Sequence, residues 1–500
     1  MKLGKRFLSP VGKSCSLNST FMLQRALPSF ATLLAMLFAG SVLYVWLRSE
    51  PIQVTERVSE VLGSQAEAKA AAAARAVDLT GCFKKFLDVP AGKLSGSWLG
   101  FRGNTHDNIV HDSKNILTSW PASGPKIIWQ IDLGDGHAMP AIANGCAYLL
   151  DYDEARSGDI LKCLNADTGV LRWEHLYRIK TKRNHGISRT VVAIDSQSVV
   201  SIGPQCHVIS LVASNGMYRW GFDMVARYGT KVPLWYTGQC PLIDNGVVVL
   251  APAGTNVVLT GINTVSGKTV FETPAPGGLE MSHSSIIIMT IDGVRQYVYA
   301  ALGGIIGVAA DGAKRGTLLW KTTAFTPSVV APTPVPFSDG RFFMTAGYGS
   351  GSAMFRISKD AAQTWKAELL YKKDKKVFAC EQQTPILLDG LLYAVLPSDG
   401  GGDRQQLACM TPDGERLWTS GKDDLFGLGP YLATADSLMV LLNDTGTLTL
   451  ARVSKKGFQR LARYPLMGGK GRDAWGPMVL VQDRLFVRDS THLYCLNVGN

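Results

Sequence analysis

A short strand opening, usually ending in Pro, returns eight times along the chain. It stands at Met139-Pro140, Arg189-Thr190, Cys240-Pro241, Ser285-Ile286, Thr333-Pro334, Thr384-Pro385, Gly429-Pro430 and Gly476-Pro477, with successive spacings of 50, 51, 45, 48, 51, 45 and 47 residues. A period of that size admits few folds, because each repeat is one supersecondary unit that buries its apolar faces only against its neighbours. Within the repeats an apolar run, a turn and a second apolar run follow the opening: Asn144-Gly145 precedes CAYLL, Asp244-Asn245-Gly246 precedes VVVLA, Asp339-Gly340 precedes RFFMT and Asp389-Gly390 precedes LLYAV. Asn-Gly and Asp-Gly between β-rich runs signal hairpins. A third element is a turn glycine with an aromatic four residues on, as in Gly169/Trp173, Gly216/Trp220, Gly267/Phe271, Gly316/Trp320 and Gly414/Trp418. Gly457/Leu461 is a degenerate copy, and in the fifth repeat Trp365 and Tyr371 compete for the position. These aromatics are expected to dock one small sheet on the next.

The last repeat is short. After Gly476-Pro477 come two apolar runs, and the sequence ends at Asn500 without a closing aromatic strand. A spare copy, Pro125-Lys126-Ile127-Ile128-Trp129-Gln130, stands ahead of the first repeat. The expected fold is therefore all-β: an eight-bladed propeller over residues 96–500, closed by an N-terminal strand that pairs with the last blade and removes its open edge. Trp129 joins Trp173, Trp220, Phe271, Trp320 and Trp418 as the expected blade-docking aromatics.

The segment ahead of the propeller reads differently. Lys2, Lys5, Arg6, Lys13 and Arg25 precede any acidic residue, and Ser29 to Leu47 carries no charge. Nineteen residues of helix span about 28 Å, close to the ~30 Å hydrocarbon core. Bulky Tyr44, Val45 and Trp46 close the stretch where a cleaved signal would carry small residues, and Tyr44 and Trp46 suit the interface. The expected organisation is a basic cytoplasmic segment (1–28), a transmembrane signal anchor (29–47), a stalk (48–95) and an exported propeller held at the inner membrane, on its periplasmic side. A rival anchor is Cys82 in Leu79-Thr80-Gly81-Cys82, which has the local look of a lipidation box, but the preceding Gln65 to Asp78 is polar and Ala-rich.

The repeat resembles that of the pyrroloquinoline-quinone (PQQ)-like β-propellers, above all in LKCLNADTGVLRWE (161–174), VISLVASNGMYRW (208–220) and LACMTPDGERLW (407–418). Trp98, Phe101, Arg102, Gly103 and Asp107 resemble the W-x-x-F-R-G-x-x-x-D motif of bacterial envelope members of that family. The resemblance implies one of two activities. One branch binds quinone and oxidises alcohols or sugars; another scaffolds outer-membrane protein assembly without a cofactor. Repeat motifs specify fold better than function.

Residue chemistry favours the second branch. The adjacent cysteines that the quinone branch shows are absent, and so is a C-x-x-C-H haem site. Acidic residues able to hold calcium are sparse at the strand openings, Glu381 being the main exception. Cys163, Cys409 and Cys495 share one repeat position and read as small core residues. No zinc spacing, nucleophile elbow or phosphate-binding glycine motif occurs, and Gly347–Gly351 and Gly400–Gly402 read as loops. Residues 96–500 hold 39 basic and 34 acidic residues, a near balance without the concentrated stripe that nucleic acid demands. What remains is the mouth of the ring. His137, Arg189, Gln239, His283, Gln383 and Trp475 precede strand openings and are expected to face the central channel. Arg189, with five donors, is the leading candidate to hold a carboxylate, a phosphate or a partner backbone. The expected role is a non-enzymatic scaffold for an envelope protein or peptide, with no cofactor and no metal. The alternative is a PQQ- and calcium-dependent quinoprotein dehydrogenase, or a ligand sensor.

Overall fold

The computed structural model describes residues 34–44, 48, 76–86, 88–112, 116 and 118–499. Residues 1–73 and 74–500 form separate units. In the first, residues 34–44 are helical, with Leu34, Met36, Leu37, Phe38 and Leu43 exposed. No helix among the described residues is long and apolar enough to cross a membrane. The span expected over 29–47 lies partly outside the described residues, and the basic segment 1–28 wholly so.

The second unit is all-β. Its described residues form eight sheets, each built on four antiparallel strands. The first strands begin at Ala141, Ala193, Leu242, Ile287, Val335, Ile386, Tyr431 and Val479, directly behind the eight openings. The hairpin signals are local chemistry: Asn144-Gly145, Asn245-Gly246 and Asp389-Gly390 each hold two positive φ angles, as a type I′ turn requires. Asp339-Gly340 departs, with positive φ at the glycine alone. Strand Lys126–Asp132 pairs antiparallel with His492–Asn497, so the eighth sheet takes its outermost strand from upstream of the first blade.

Docking between blades follows one geometry in the first half of the ring. The turn glycine of one blade receives the aromatic of the blade before it. A Cβ on Gly169 would meet the Trp129 ring at 2.8 Å, and one on Gly216 the Trp173 ring at 2.6 Å, so any larger residue there would push the blades apart. Trp220 sits likewise on the Gly267 turn and Phe271 on Gly316. The ring N–H adds a tie where there is one: Trp129 and Trp220 donate to the carbonyls of Ala166 and Thr264, both at 3.0 Å. The pattern breaks at the junction of blades four and five. Trp320 donates within its own blade to Gln296 (2.7 Å) and stacks on Phe342. Between Trp365 and Tyr371, it is Tyr371 that reaches blade six, donating to the Pro412 carbonyl at 2.7 Å. Trp418 ties to blade seven through the Ser454 carbonyl at 2.9 Å.

Two stretches ahead of the blades differ from expectation. Residues 76–95, assigned by sequence to the stalk, lie on blade one: strand Cys82–Lys85 pairs with its outer strand, and the Gly92 amide donates to the Gly145 carbonyl. The unpaired edge of that blade offers hydrogen bonds that a free stalk would leave to water. Cys82 is exposed at the start of that strand.

The segment 98–112 crosses the ring. Trp98 exchanges backbone hydrogen bonds with Ile142 of blade one, and the Ile194 amide of blade two donates to the Leu99 carbonyl. Arg102 reaches the Thr384 and Pro385 carbonyls at the opening of blade six. Ile109–Val110 then adds a parallel strand to blade seven. Blades two and six are opposite each other in a ring of eight, so the motif spans the axis as a plug.

Candidate functional site

The loops that join successive blades surround a cavity of about 150 Å³ on the ring axis. At ~30 Å³ per water that is room for about five waters, or for a carboxylate and the first atoms behind it. Phe101 of the plug forms part of its wall, so the channel ends in a cup. Of the six residues expected here, His137, Arg189, His283, Gln383 and Trp475 line it. Gln239 does not. It is fully buried, its amide bonding both backbone groups of Ala251 and the Tyr299 hydroxyl. The side chain takes the place of a ladder contact at the Cys240-Pro241 opening, where the Cys240 amide donates instead to the Ser285 hydroxyl.

Arg189 is the centre of the cup's electrostatics. Nε donates to the Trp235 carbonyl (2.6 Å), and Nη2 donates to those of Asn184 (2.8 Å) and His185 (2.7 Å). Every acceptor is a backbone carbonyl, and among the described residues no carboxylate pairs with the guanidinium. Among the described residues, Nη1 is left with both N–H groups free of acceptors. Burial pulls the group down to about 10, still charged at neutral pH. Glu381, the carboxylate of the cup, forms no ion pair with Arg189. The Glu381 carboxylate instead accepts from the Ser398 hydroxyl at 2.9 Å.

Two histidines flank this cation and are held neutral. Burial, then the charges of Arg189 and Arg488, lower His137 to about 3. Burial and Arg189 lower His283 to about 4. His137 Nε2 donates to the His185 carbonyl at 3.0 Å, which leaves Nδ1 as a buried acceptor without a partner. Its ring lies 5.4 Å from that of Trp475, whose Nε1 donates to Asp444. Across the cup, Trp235 stacks between His283 (6.1 Å) and Tyr348 (5.9 Å).

Sequence reasoning missed Phe101, Trp235 and Tyr348 as lining residues. A backbone feature marks two of them. Trp235 and Tyr348 have φ of 63° and 54°, and their neighbours His185 and Tyr236 also lie in the left-handed region. Bulky residues rarely hold that conformation, and such strain gathers at ligand sites. The available signal was an aromatic pair inside a blade-joining loop, LWYTG at 234–238, five residues ahead of the opening that was inspected.

The donor set bears on cofactors. A calcium-bound quinone needs several oxygens converging on one cation. This cup carries one carboxylate, Glu381, beside a half-buried guanidinium, and no group of three or more metal-ligating side chains occurs among the described residues. The residues present do not fit that group.

Eight antiparallel blades around a plugged axis define a β-propeller of the PQQ-like class. The chain belongs to the family described as the outer membrane protein assembly factor BamB, whose sequence profile matches residues 105–226 and 156–420, more than half of the chain. No curated protein sequence matches it. Among solved structures it is similar to the quinohemoprotein alcohol dehydrogenase from Comamonas testosteroni (11% identity, 81% of each chain, TM-score 0.55). It is also similar to a quinohemoprotein alcohol dehydrogenase from Pseudomonas putida HK5 (11%, 81% of each chain, 0.50) and to BamB from Moraxella catarrhalis (15%, 74% of this chain and 99% of that one, 0.49). At these identities the likeness is one of fold.

Proposed function

We propose that the protein is a non-enzymatic binding scaffold of the cell envelope, held at the membrane by residues 29–47, whose cup takes the carboxylate end of a protein or peptide partner. The observation that carries this reading is the free Nη1 of Arg189 beside an open cavity. A guanidinium presents paired N–H groups to a carboxylate. Here the other nitrogens are already fixed by carbonyls, so the remaining one is pre-oriented. The neutral histidines add polarity without adding charge, and Trp235, Tyr348 and Phe101 offer apolar surface to the atoms behind the carboxylate. Membership of a family described as an assembly factor supports a protein partner over a small metabolite.

The test uses the fluorescence of Trp235 and Trp475. Short peptides with a free C-terminal carboxylate are titrated against their amidated counterparts, first with the native protein and then with Arg189→Gln. A saturable change for the carboxylates only, lost in the variant, is expected. Equal responses to both peptide series, or none to either, would overturn the reading. Added PQQ and calcium discriminate the alternative: dye reduction by alcohols or sugars would make the protein a dehydrogenase.

A further inference from the structure

Blade one holds a second reactive cluster, remote from the cup. Cys146 begins strand Cys146–Asp153, and Cys163 lies in the adjacent strand Gly158–Asn165. The register sets Tyr148 opposite Cys163, which places Cys146 diagonally next to Cys163 on the same face of the sheet. Both side chains are buried, at 2% and 0% exposure. From the third strand, Arg172 directs Nη1 to both sulfurs, 2.9 Å from Cys146 Sγ and 3.8 Å from Cys163 Sγ. Its Nε donates to the Val89 carbonyl at 3.2 Å. Among the described residues no carboxylate pairs with this guanidinium. The cation is permanent and half-exposed; it favours a thiolate at Cys146, whose protonated form donates to the Asn144 carbonyl at 3.6 Å.

The two thiols are driven apart. A hydrogen bond from Cys163, with the charge of Arg172, brings Cys146 down to about 6 against the desolvation that would raise it. Burial pushes the Cys163 thiol well up. One thiolate beside one protonated thiol is the arrangement of a nucleophile and its resolving partner. The repeat-wide reading of Cys163 as core filler holds for Cys409 and Cys495, which are equally buried. Neither of those has a second thiol and an arginine against it, so the cluster is particular to blade one. The cover is the non-helical, non-strand stretch 89–93, tied to the blade by the Arg172–Val89 contact and by the Gly92–Gly145 backbone hydrogen bond.

We propose that Cys146 and Cys163 form a redox site for hydroperoxides, with Cys146 as nucleophile, Cys163 as resolving thiol and Arg172 as the positioning residue. The Cys146 thiolate attacks one peroxide oxygen. An S–O bond forms, the O–O bond breaks, and the leaving oxygen takes a proton to depart as water or an alcohol. Cys163 then attacks the sulfenic sulfur. The S–S bond forms, the S–O bond breaks and water leaves with the thiol proton. Two electrons pass from the two sulfurs to the peroxide, so the sum balances. The product disulfide removes the anion that Arg172 faces, directly beneath the stretch 89–93.

The experiment treats the full chain, carrying Cys82→Ser to silence the exposed thiol and Cys15→Ser to remove the cysteine that lies outside the described residues, with hydrogen peroxide across a pH series. The protein is then denatured, alkylated and digested. The expected product is a cross-linked peptide joining Cys146 to Cys163, formed ahead of any modification of Cys206, Cys240, Cys380, Cys409 or Cys495. Its rate should be half-maximal near pH 6. In Arg172→Met the half-maximum should move toward the ordinary thiol value of about 8.5. The rate at pH 6 should then fall by about tenfold, since the more basic thiolate regains part of the loss in intrinsic nucleophilicity. Arg172→Lys should restore much of the low-pH reactivity. Indiscriminate oxidation of the buried cysteines, or an unchanged profile in Arg172→Met, would overturn the proposal. If that variant does not fold, the native profile decides alone: a half-maximum above about pH 8 overturns it.

Discussion

Arg102 and Arg189 are the same cation in the same kind of place, yet one closes the structure and the other opens it. Arg102 is buried and Arg189 half-buried; both are brought down to about 10 by desolvation, and both are bonded by backbone carbonyls alone. Arg102 spends all three nitrogens: Nε on His106 (3.1 Å), Nη1 on Thr384 (3.1 Å) and Nη2 on Asp107 (2.9 Å) and Pro385 (3.2 Å). Arg488 is spent in the same way, on Asp489, Ala138, Gly134 and Ser490. Arg189 keeps Nη1 in reserve beside a cavity. Burial of a charge therefore does not mark a binding site. An unspent donor next to open volume does.

The largest effect expected from this contrast comes from removing the whole plug. A chain beginning at Asp132 loses both the segment 98–112 and the strand Lys126–Asp132, while one beginning at Gly96 keeps both. The first should show no cooperative unfolding transition and the second should fold. Equal melting temperatures would refute the structural role of this region. Next is Arg102→Met, which strands four carbonyls between the plug and blade six. Unsatisfied buried groups cost about 1–3 kcal/mol each, with partial relief by relaxation. A loss of more than about 3 kcal/mol in urea unfolding is expected, and a loss under about 1 kcal/mol would dissolve the contrast with Arg189. Arg189→Ala should cost less, about 1–2 kcal/mol, because its acceptors lie at the edge of the cup where water can replace the guanidinium. A rim residue free of such bonds would cost still less. Carboxylate binding should be abolished all the same.

The contrast also shows what was legible in the sequence. Blade count and phase could be read because the openings and turns are local chemistry that repeats, from Met139-Pro140 to Gly476-Pro477. The docking aromatics could be read for the same reason, until blade five, where a hairpin of two nine-residue strands carries Trp365 out to its tip and leaves Tyr371 to make the contact. The cup was legible in part. Residues just ahead of strand openings converge on the axis, and five of the six do so. Gln239 fails because its amide turns inward to bond both backbone groups of Ala251 and the Tyr299 hydroxyl, a tertiary match that no residue spacing announces. Trp235 and Tyr348 were invisible because nothing in a strand period reaches into a loop whose course depends on left-handed residues. The plug was recognisable as a motif without its position being readable, since crossing the ring depends on blades nearly 300 residues further along. The pairing of Cys146 with Arg172 is likewise a product of register.

The smallest expected effect concerns the two histidines that share the cup with Arg189. An unfolded histidine titrates near 6.5, whereas His137 and His283 are brought down to about 3 and about 4. Between those values the unfolded chain binds protons that the folded chain refuses, so stability rises with pH across the window and is fully present above about pH 6.5. Lowering the pH through it should cost up to about 1.4 kcal/mol per pH unit for each histidine. Asp159 works in the opposite direction. Burial raises it from the ordinary carboxylate range to about 7, so it stabilises the fold at low pH and loses that contribution as pH rises toward 7. The curve of the native protein is therefore flattened, and the histidine part is isolated by subtraction. His137→Gln with His283→Gln should lower stability at pH 7 but gain on the native protein as pH falls to 5, read from unfolding midpoints at each pH. Parallel curves would mean that the cup histidines are already protonated or already solvated. Arg189 would then not be the lone cation that its geometry describes.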